Sequence, residues 1–345
     1  MGHLYVVGGQ QRGLRSILAG SNHWYEYQKG IILRVDEDTQ GVEPCLDYVS
    51  PAWTRDEHEP TILFKCGTVQ DDHLYLCTQT EILVYALPSF EPRTHISLPC
   101  FNDLHHVRPA PNGHLLVANT GLDMVLELTR EGDIVREWST LGENPWARWD
   151  KQVDYRKGIN TKPHKSHPNY LFYIDSEPWV TRFQQRDAIS LADSRRRIAI
   201  GIERPHDGVL AYGRLYFTTV DAHVVIADPI SLEIEEVIDL NSMHESGTLL
   251  GWCRSILVEG SRLWVGFSRL RATKFRDNVS WVKRGFKHVL PTRIACYDLA
   301  EQRCVAEINL EPHGLNAVFG IFRPEIQPSH LTHSPADAQN VIMTS

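Results

Sequence analysis

Residues 206–240 read HDGVLAYGRLYFTTVDAHVVIADPISLEIEEVIDL. Four short runs, VLA, RLYFTT, HVVIA and EIEEVID, place β-branched and aromatic residues at regular intervals. Turn residues separate them: Tyr212-Gly213, Asp221-Ala222 and the Pro229–Leu232 stretch. Such runs bounded by turn residues predict four strands joined by tight connections.

The same order recurs along the chain. It returns at 106–138, where HVRPAPNG, HLLVANTG, MVLELTREG and DIVREW follow one another, and at 62–98. Residues 251–310 carry it with an interruption, and 167–200 carry it more weakly. Four strands per unit at a period of roughly 35–55 residues predict propeller blades. The termini supply a sixth: LYVVGG (4–9), GIILRVDED (30–38) and VEPCLDYV (42–49) match strands two to four, and HGLNAVFGI (313–321) matches strand one. The expected fold is therefore all-β, a six-bladed propeller over 1–325, with one C-terminal strand joining three N-terminal ones to close the ring and remove open edges. Expected blades are 313–322 with 4–50, then 62–98, 105–138, 164–200, 206–240 and 252–310. The alternative is an open β-sandwich with a small β domain. Residues 326–345 are polar without period and read as a disordered tail.

Composition narrows the function. The 345 residues are 42% hydrophobic and 23% charged, with a net charge of −8. That balance argues against disorder and against nucleic-acid binding driven by positive charge. No apolar run approaches the ~20 residues of a membrane span. No basic segment leads into an apolar one at the N-terminus, and none of the seven cysteines forms a C-x-x-C pair. A reducing, cytoplasmic setting is the expectation.

Strands in a blade alternate in direction, so links from strand two to three and from strand four to the next blade emerge on one face. Three long connections fall there: Gln10–Lys29, with Arg12, Arg15, His23 and Trp24; Ser139–His167; and Ser268–Pro291. Long loops gathered on one face of a rigid scaffold are the usual layout of a site. In the third, Phe275, Val279, Val282 and Phe286 form one apolar stripe, predicting a helix near 272–288. Seven basic residues between Arg269 and Lys287, against Asp277 alone, make a basic patch: a lid over an anionic ligand, a surface for phosphate, sulfate or anionic lipid, or a solvated rim helix.

Histidines mark the starts of the innermost strands. Aligning blades on Leu115, Leu215 and Leu263 makes His106 and His206 equivalent and puts Arg254 at the same offset, after Cys253. His313 matches His206 through a shared Pro-His pattern; His164 or His167 serves the fourth blade, and Lys65 stands in the second. Imidazoles converging on the channel suit a divalent transition metal (iron, zinc or copper), with His106, His164, His206 and His313 as ligands. Without metal they provide a general base and acid near neutral pH. Asp207, Arg254 and His167 are the expected catalytic groups around them. His105 and His106 are adjacent on a strand and face opposite ways, so one of them reaches the channel; His106 is the one expected there. Each histidine also has a plainer reading, a ring hydrogen-bonded to a neighbouring backbone.

The stretch DLHHVRPAPNGHLLVANTGLDMVLELTREGDIVREW (103–138) resembles a blade of the six-bladed propellers that include arylsulfotransferases, NHL-repeat proteins and amidating lyases. The first of these use channel histidines and an arginine on a sulfate ester; the last hold a zinc through histidines of different blades. The resemblance implies a channel role for His106. The expected function is an enzyme, a lyase, hydrolase or group-transfer catalyst, acting on a small polar or anionic metabolite. The alternative is a non-catalytic propeller binding a protein partner or ligand through the same face.

Overall fold

The computed structural model describes residues 2–13, 26–270 and 288–324. Six four-stranded antiparallel sheets follow one another. Their innermost strands are Ala317–Phe322, Gly67–Gln70, Leu104–Pro109, Pro168–Ile174, Val209–Ala211 and Trp252–Glu259. Each of these touches the innermost strands of its two neighbours, and the round of contacts closes. The protein is a six-bladed β-propeller.

In the blade of residues 209–239, the second and third strands, Arg214–Thr218 and His223–Ala227, are buried on both sides by neighbouring blades. They therefore read as almost unbroken apolar runs. The outermost strand, Ile234–Asp239, exposes most of its residues and carries the charge. Between the blades lie six separate apolar clusters, one for each gap in the ring. The cluster of Leu4, Val6 and Leu33 with Trp264, Ile294 and Ile308 packs the first blade against the last, so the ring is held where the chain begins and ends.

Closure is by main-chain pairing. Tyr5–Gly9 pair antiparallel with Ala317–Phe322, with a register shift between Val7 and Gly8. A Cβ on Gly8 would stand 1.8 Å from the Ala317 carbonyl oxygen, so only glycine allows the seam to approach this closely.

The expected helix near 272–288, its basic residues from Arg271 to Lys287, the loop residues Arg15, His23 and Trp24, and the tail 326–345 lie outside the described residues. His288, at the end of the expected helix, pairs instead with Thr248 in a two-residue parallel strand. The Ser139–His167 connection is described in full. Its Trp146, Trp149 and Val153 pack onto the core between the second and third blades, and its last residues reach the channel. No helix among the described residues is long and apolar enough to cross a membrane.

Candidate functional site

A cavity of about 530 Å³ opens at one end of the channel. Its walls come from the links between strands two and three (Glu26, Gln79, Phe183), from the links between blades (Lys162, His164, Arg204), and from the starts of innermost strands (Lys65, His105, Arg254). This is the face that chain direction selects. A second cavity of about 550 Å³ occupies the lower half of the same strands, around Gly67–Asp71, Tyr170 and Ile256.

Phe319, from the strand that closes the ring, is the centre of the upper cavity's charged groups. The Arg254 guanidinium stands 4.4 Å from its ring centroid and the Lys65 ammonium 4.7 Å, with the His206 ring at 6.1 Å. Arg254 is nine-tenths buried, yet its Nε and Nη1 have no hydrogen-bond partner among the described residues. Burial weighs against its charge, with Tyr27 and Asp207 opposing. Leaving a buried cation unpaired is costly, and such a group ordinarily has an anion to meet.

His206 is arranged as a base. Its Nδ1 lies 3.3 Å from Asp207 Oδ1, which makes Nδ1 the protonated nitrogen and leaves the lone pair on Nε2. That Nε2 is buried and has no hydrogen-bond partner among the described residues. Burial lowers the His206 pKa, with Asp207 opposing, so the ring is neutral at pH 7. Asp207 itself sits behind the histidine. It accepts from the Thr218 hydroxyl and from the backbone N–H of Ser255. The second bond pins a bulge between Arg254 and Ile256, where Ser255 has φ +69°.

His105 belongs to the same wall. Asn169 donates through Nδ2 to the Pro205 carbonyl at 2.9 Å, so its Oδ1 is the atom facing His105 Nδ1 at 2.7 Å. His105 is therefore protonated on Nδ1, and Nε2 accepts from Lys65 Nζ at 3.2 Å. Burial, then Lys65, pushes the His105 pKa down to about 3. Asp103 stands 3.2 Å from Lys65 Nζ; burial opposes its charge, but the Lys65 ammonium holds it well below the usual carboxylate range. Burial in turn lowers Lys65, with Asp103 opposing. A second pair lies beside it. Thr161 donates to Asn102 Oδ1 at 2.9 Å, so it accepts from His164 Nε2 at 3.2 Å. The His164 Nδ1 then accepts from His167 Nδ1 at 2.8 Å, which leaves Nε2 of His167 as its lone-pair nitrogen. Burial holds both rings neutral, and neighbouring His105 pushes His167 further down.

The structure thus gathers His164, His167, His206 and Arg254 at one cavity, with Asp207 behind His206. It places two expected ligands elsewhere. His106 is fully buried in the wall between blades, stacked on Tyr170 at 3.9 Å, with Nε2 2.9 Å from the Gly67 carbonyl and Nδ1 accepting the Leu171 N–H at 3.2 Å. Both nitrogens are engaged by backbone, which corrects its reading as a channel ligand. His313 is exposed in a short turn, Glu311–His313, and does not border the cavity. Cys253 is a fully buried member of an inter-blade core.

The cavity histidines do not bring three ligand atoms within 4.8 Å of one another. Among the described residues, one trio of His, Cys, Asp or Glu ligand atoms lies within 4.8 Å of one another, His244, Cys304 and Glu307, and it contains none of the expected ligands.

No family model and no curated protein sequence matches the chain. Solved structures do. A protein of unknown function from Bacteroides caccae superposes with a TM-score of 0.59 at 13% identity, over 94% of this chain and 99% of that one. A chain of a nidogen/laminin complex gives 0.54 at 12% identity, over 93% and 98%. The likeness is one of fold. It sets the architecture and leaves the chemistry to the residues of the cavity.

Proposed function

We propose that this protein is an enzyme that performs acid–base chemistry on a small anionic metabolite, held by Arg254 and deprotonated by His206. The observation that carries the reading is that Arg254 and His206, whose buried Nε and Nη1 and buried Nε2 have no hydrogen-bond partner among the described residues, both line one cavity of about 530 Å³. Buried polar groups are nearly always satisfied, and unsatisfied ones in a cleft mark a place where a ligand completes the hydrogen bonding. A guanidinium offers a two-pronged donor to a carboxylate, phosphate or sulfate. Asp103 stands 3.2 Å from Lys65, whereas Arg254 has no ion pair among the described residues, and one guanidinium suits a singly charged carboxylate.

In the proposed reaction, Arg254 binds and orients the anion, and the lone pair of His206 Nε2 takes a proton from the substrate. Asp207 stabilises the imidazolium that forms. The walls of Phe319, Trp252 and Leu63 limit water around the proton transfer. The reading uses no metal step.

A panel of small carboxylates, phosphates and sulfates, screened by thermal shift and followed by calorimetry, tests this. A carboxylate should bind the wild type, and binding should survive dialysis against a chelator. Losing a hydrogen-bonded charge contact costs about 1.5–3 kcal/mol, so Arg254→Met should weaken binding roughly ten- to hundredfold. Binding unchanged in Arg254→Met contradicts the proposal. Binding without turnover in the wild type would favour the non-catalytic alternative.

A further inference from the structure

Lys65 takes no part in that reaction, yet it is the best placed nucleophile in the cavity. We propose that Lys65 forms a covalent imine with the carbonyl group of a 2-oxo acid whose carboxylate is held by Arg254. The inference rests on the anion site at Arg254 and names its substrate class.

Geometry carries it. Lys65 is nine-tenths buried and borders the cavity. Its Nζ is hydrogen-bonded to Nε2 of His105 at 3.2 Å and stands 3.2 Å from the Asp103 carboxylate as an ion pair. The tautomer of His105 is fixed from outside by Asn169, so Nε2 is an acceptor toward the amine. A neutral lysine has two N–H bonds and one lone pair. In that form one hydrogen stays with His105 Nε2, and the lone pair can meet a carbonyl carbon. Arg254 and Lys65 both stand against the Phe319 ring, at 4.4 and 4.7 Å from its centroid. A carboxylate and the carbonyl next to it therefore have a cation at one end and an amine at the other. Burial favours the neutral amine that nucleophilic lysines require; Asp103 opposes it, and the charge of Arg254 adds to burial.

The step balances without a redox partner. A bond forms between Nζ and the carbonyl carbon, and the carbonyl C–O bond breaks. The oxygen leaves as water, carrying both amine hydrogens. The imine then acidifies the adjacent C–H, which is the proton His206 Nε2 would take.

Reductive trapping tests it with the full-length wild-type chain. The protein is incubated with pyruvate or 2-oxoglutarate and sodium cyanoborohydride, then digested and mapped by mass spectrometry. The proposal expects one reduced adduct, on the peptide bearing Lys65, suppressed by a simple carboxylate that competes for Arg254. Lys65→Arg should abolish the adduct and retain binding. Mapping the wild type alone keeps the test valid if that variant folds poorly. If calorimetry shows carboxylate binding but no adduct forms, or adducts scatter over other lysines, the imine is overturned and the anion site stands. If neither simple carboxylates nor 2-oxo acids bind, both readings fall together.

Discussion

His206 Nδ1 lies 3.3 Å from Asp207 Oδ1, and the same carboxylate accepts the backbone N–H of Ser255. One residue thus fixes the tautomer of the base and the bulge that follows Arg254. Asp207→Asn should disturb both. General bases contribute typically 10²–10⁴-fold to rate, and a large part of that should be lost in Asp207→Asn and in His206→Gln. His206→Gln should leave ligand affinity within a few-fold of wild type, because Arg254 supplies the anchor. Steady-state kinetics beside calorimetry separates the two effects.

Arg254 makes no ion pair among the described residues while nine-tenths buried. Replacing an uncompensated buried charge with an apolar group of similar length should raise stability. The ligand-free Arg254→Met protein should therefore melt above the wild type, although it binds anions more weakly. Thermal melts of both proteins, with and without carboxylate, check this. A variant melting well below wild type would mean that the guanidinium serves the fold.

His106 makes the opposite prediction. Two hydrogen bonds to the backbone of neighbouring blades and a stack on Tyr170 depend on it. His106→Leu leaves the Gly67 carbonyl and the Leu171 N–H unpaired, at about 1–3 kcal/mol each. Urea unfolding should show that loss, and carboxylate affinity measured below the transition should stay at the wild-type value.

The contrast between His105 and His106 shows where the sequence stops being readable. Blade boundaries follow from apolar runs that are long where both faces are covered and charged where one is exposed, as in Arg214–Thr218 against Ile234–Asp239. Ring closure follows from a leftover single strand at one terminus and three at the other. His206 and Arg254 were legible from their offset to Leu215 and Leu263. The face of a strand, however, is a matter of parity, and a bulge resets it. The pairing of Leu104–Pro109 slips between Leu104 and His106, and Asp103 has φ +47°. His105 is the residue thrown toward the channel. An Asp two residues before a His-His pair was the available signal, but nothing in the order of residues shows where the slip falls. His313 was misplaced for a related reason: its Pro-His pattern belongs to a short turn, and the innermost strand starts at Ala317.

Acid should weaken the fold early. His105, His106, His167 and His206 are held neutral by burial, His105 down to about 3. The unfolded chain takes up protons at these residues below about pH 6.5, and the folded chain does not until lower pH. Their contribution is therefore intact above pH 6.5 and is lost progressively as pH falls toward 3. Melting temperature should decline between pH 7 and pH 5, before most carboxylates titrate. For the same reason the acid limb of kcat/KM should lie below the usual histidine value. A limb at or above pH 6.5 would mean that His206 is not the base.

The most direct measurement is a crystal structure with a bound 2-oxo acid or simple carboxylate. The account predicts ligand oxygens at hydrogen-bond distance from Arg254, about 2.7–3.2 Å, with the adjacent carbon facing His206 Nε2. A ligand seated away from the cavity, or in the cavity with Arg254 and His206 still without partners, would contradict it.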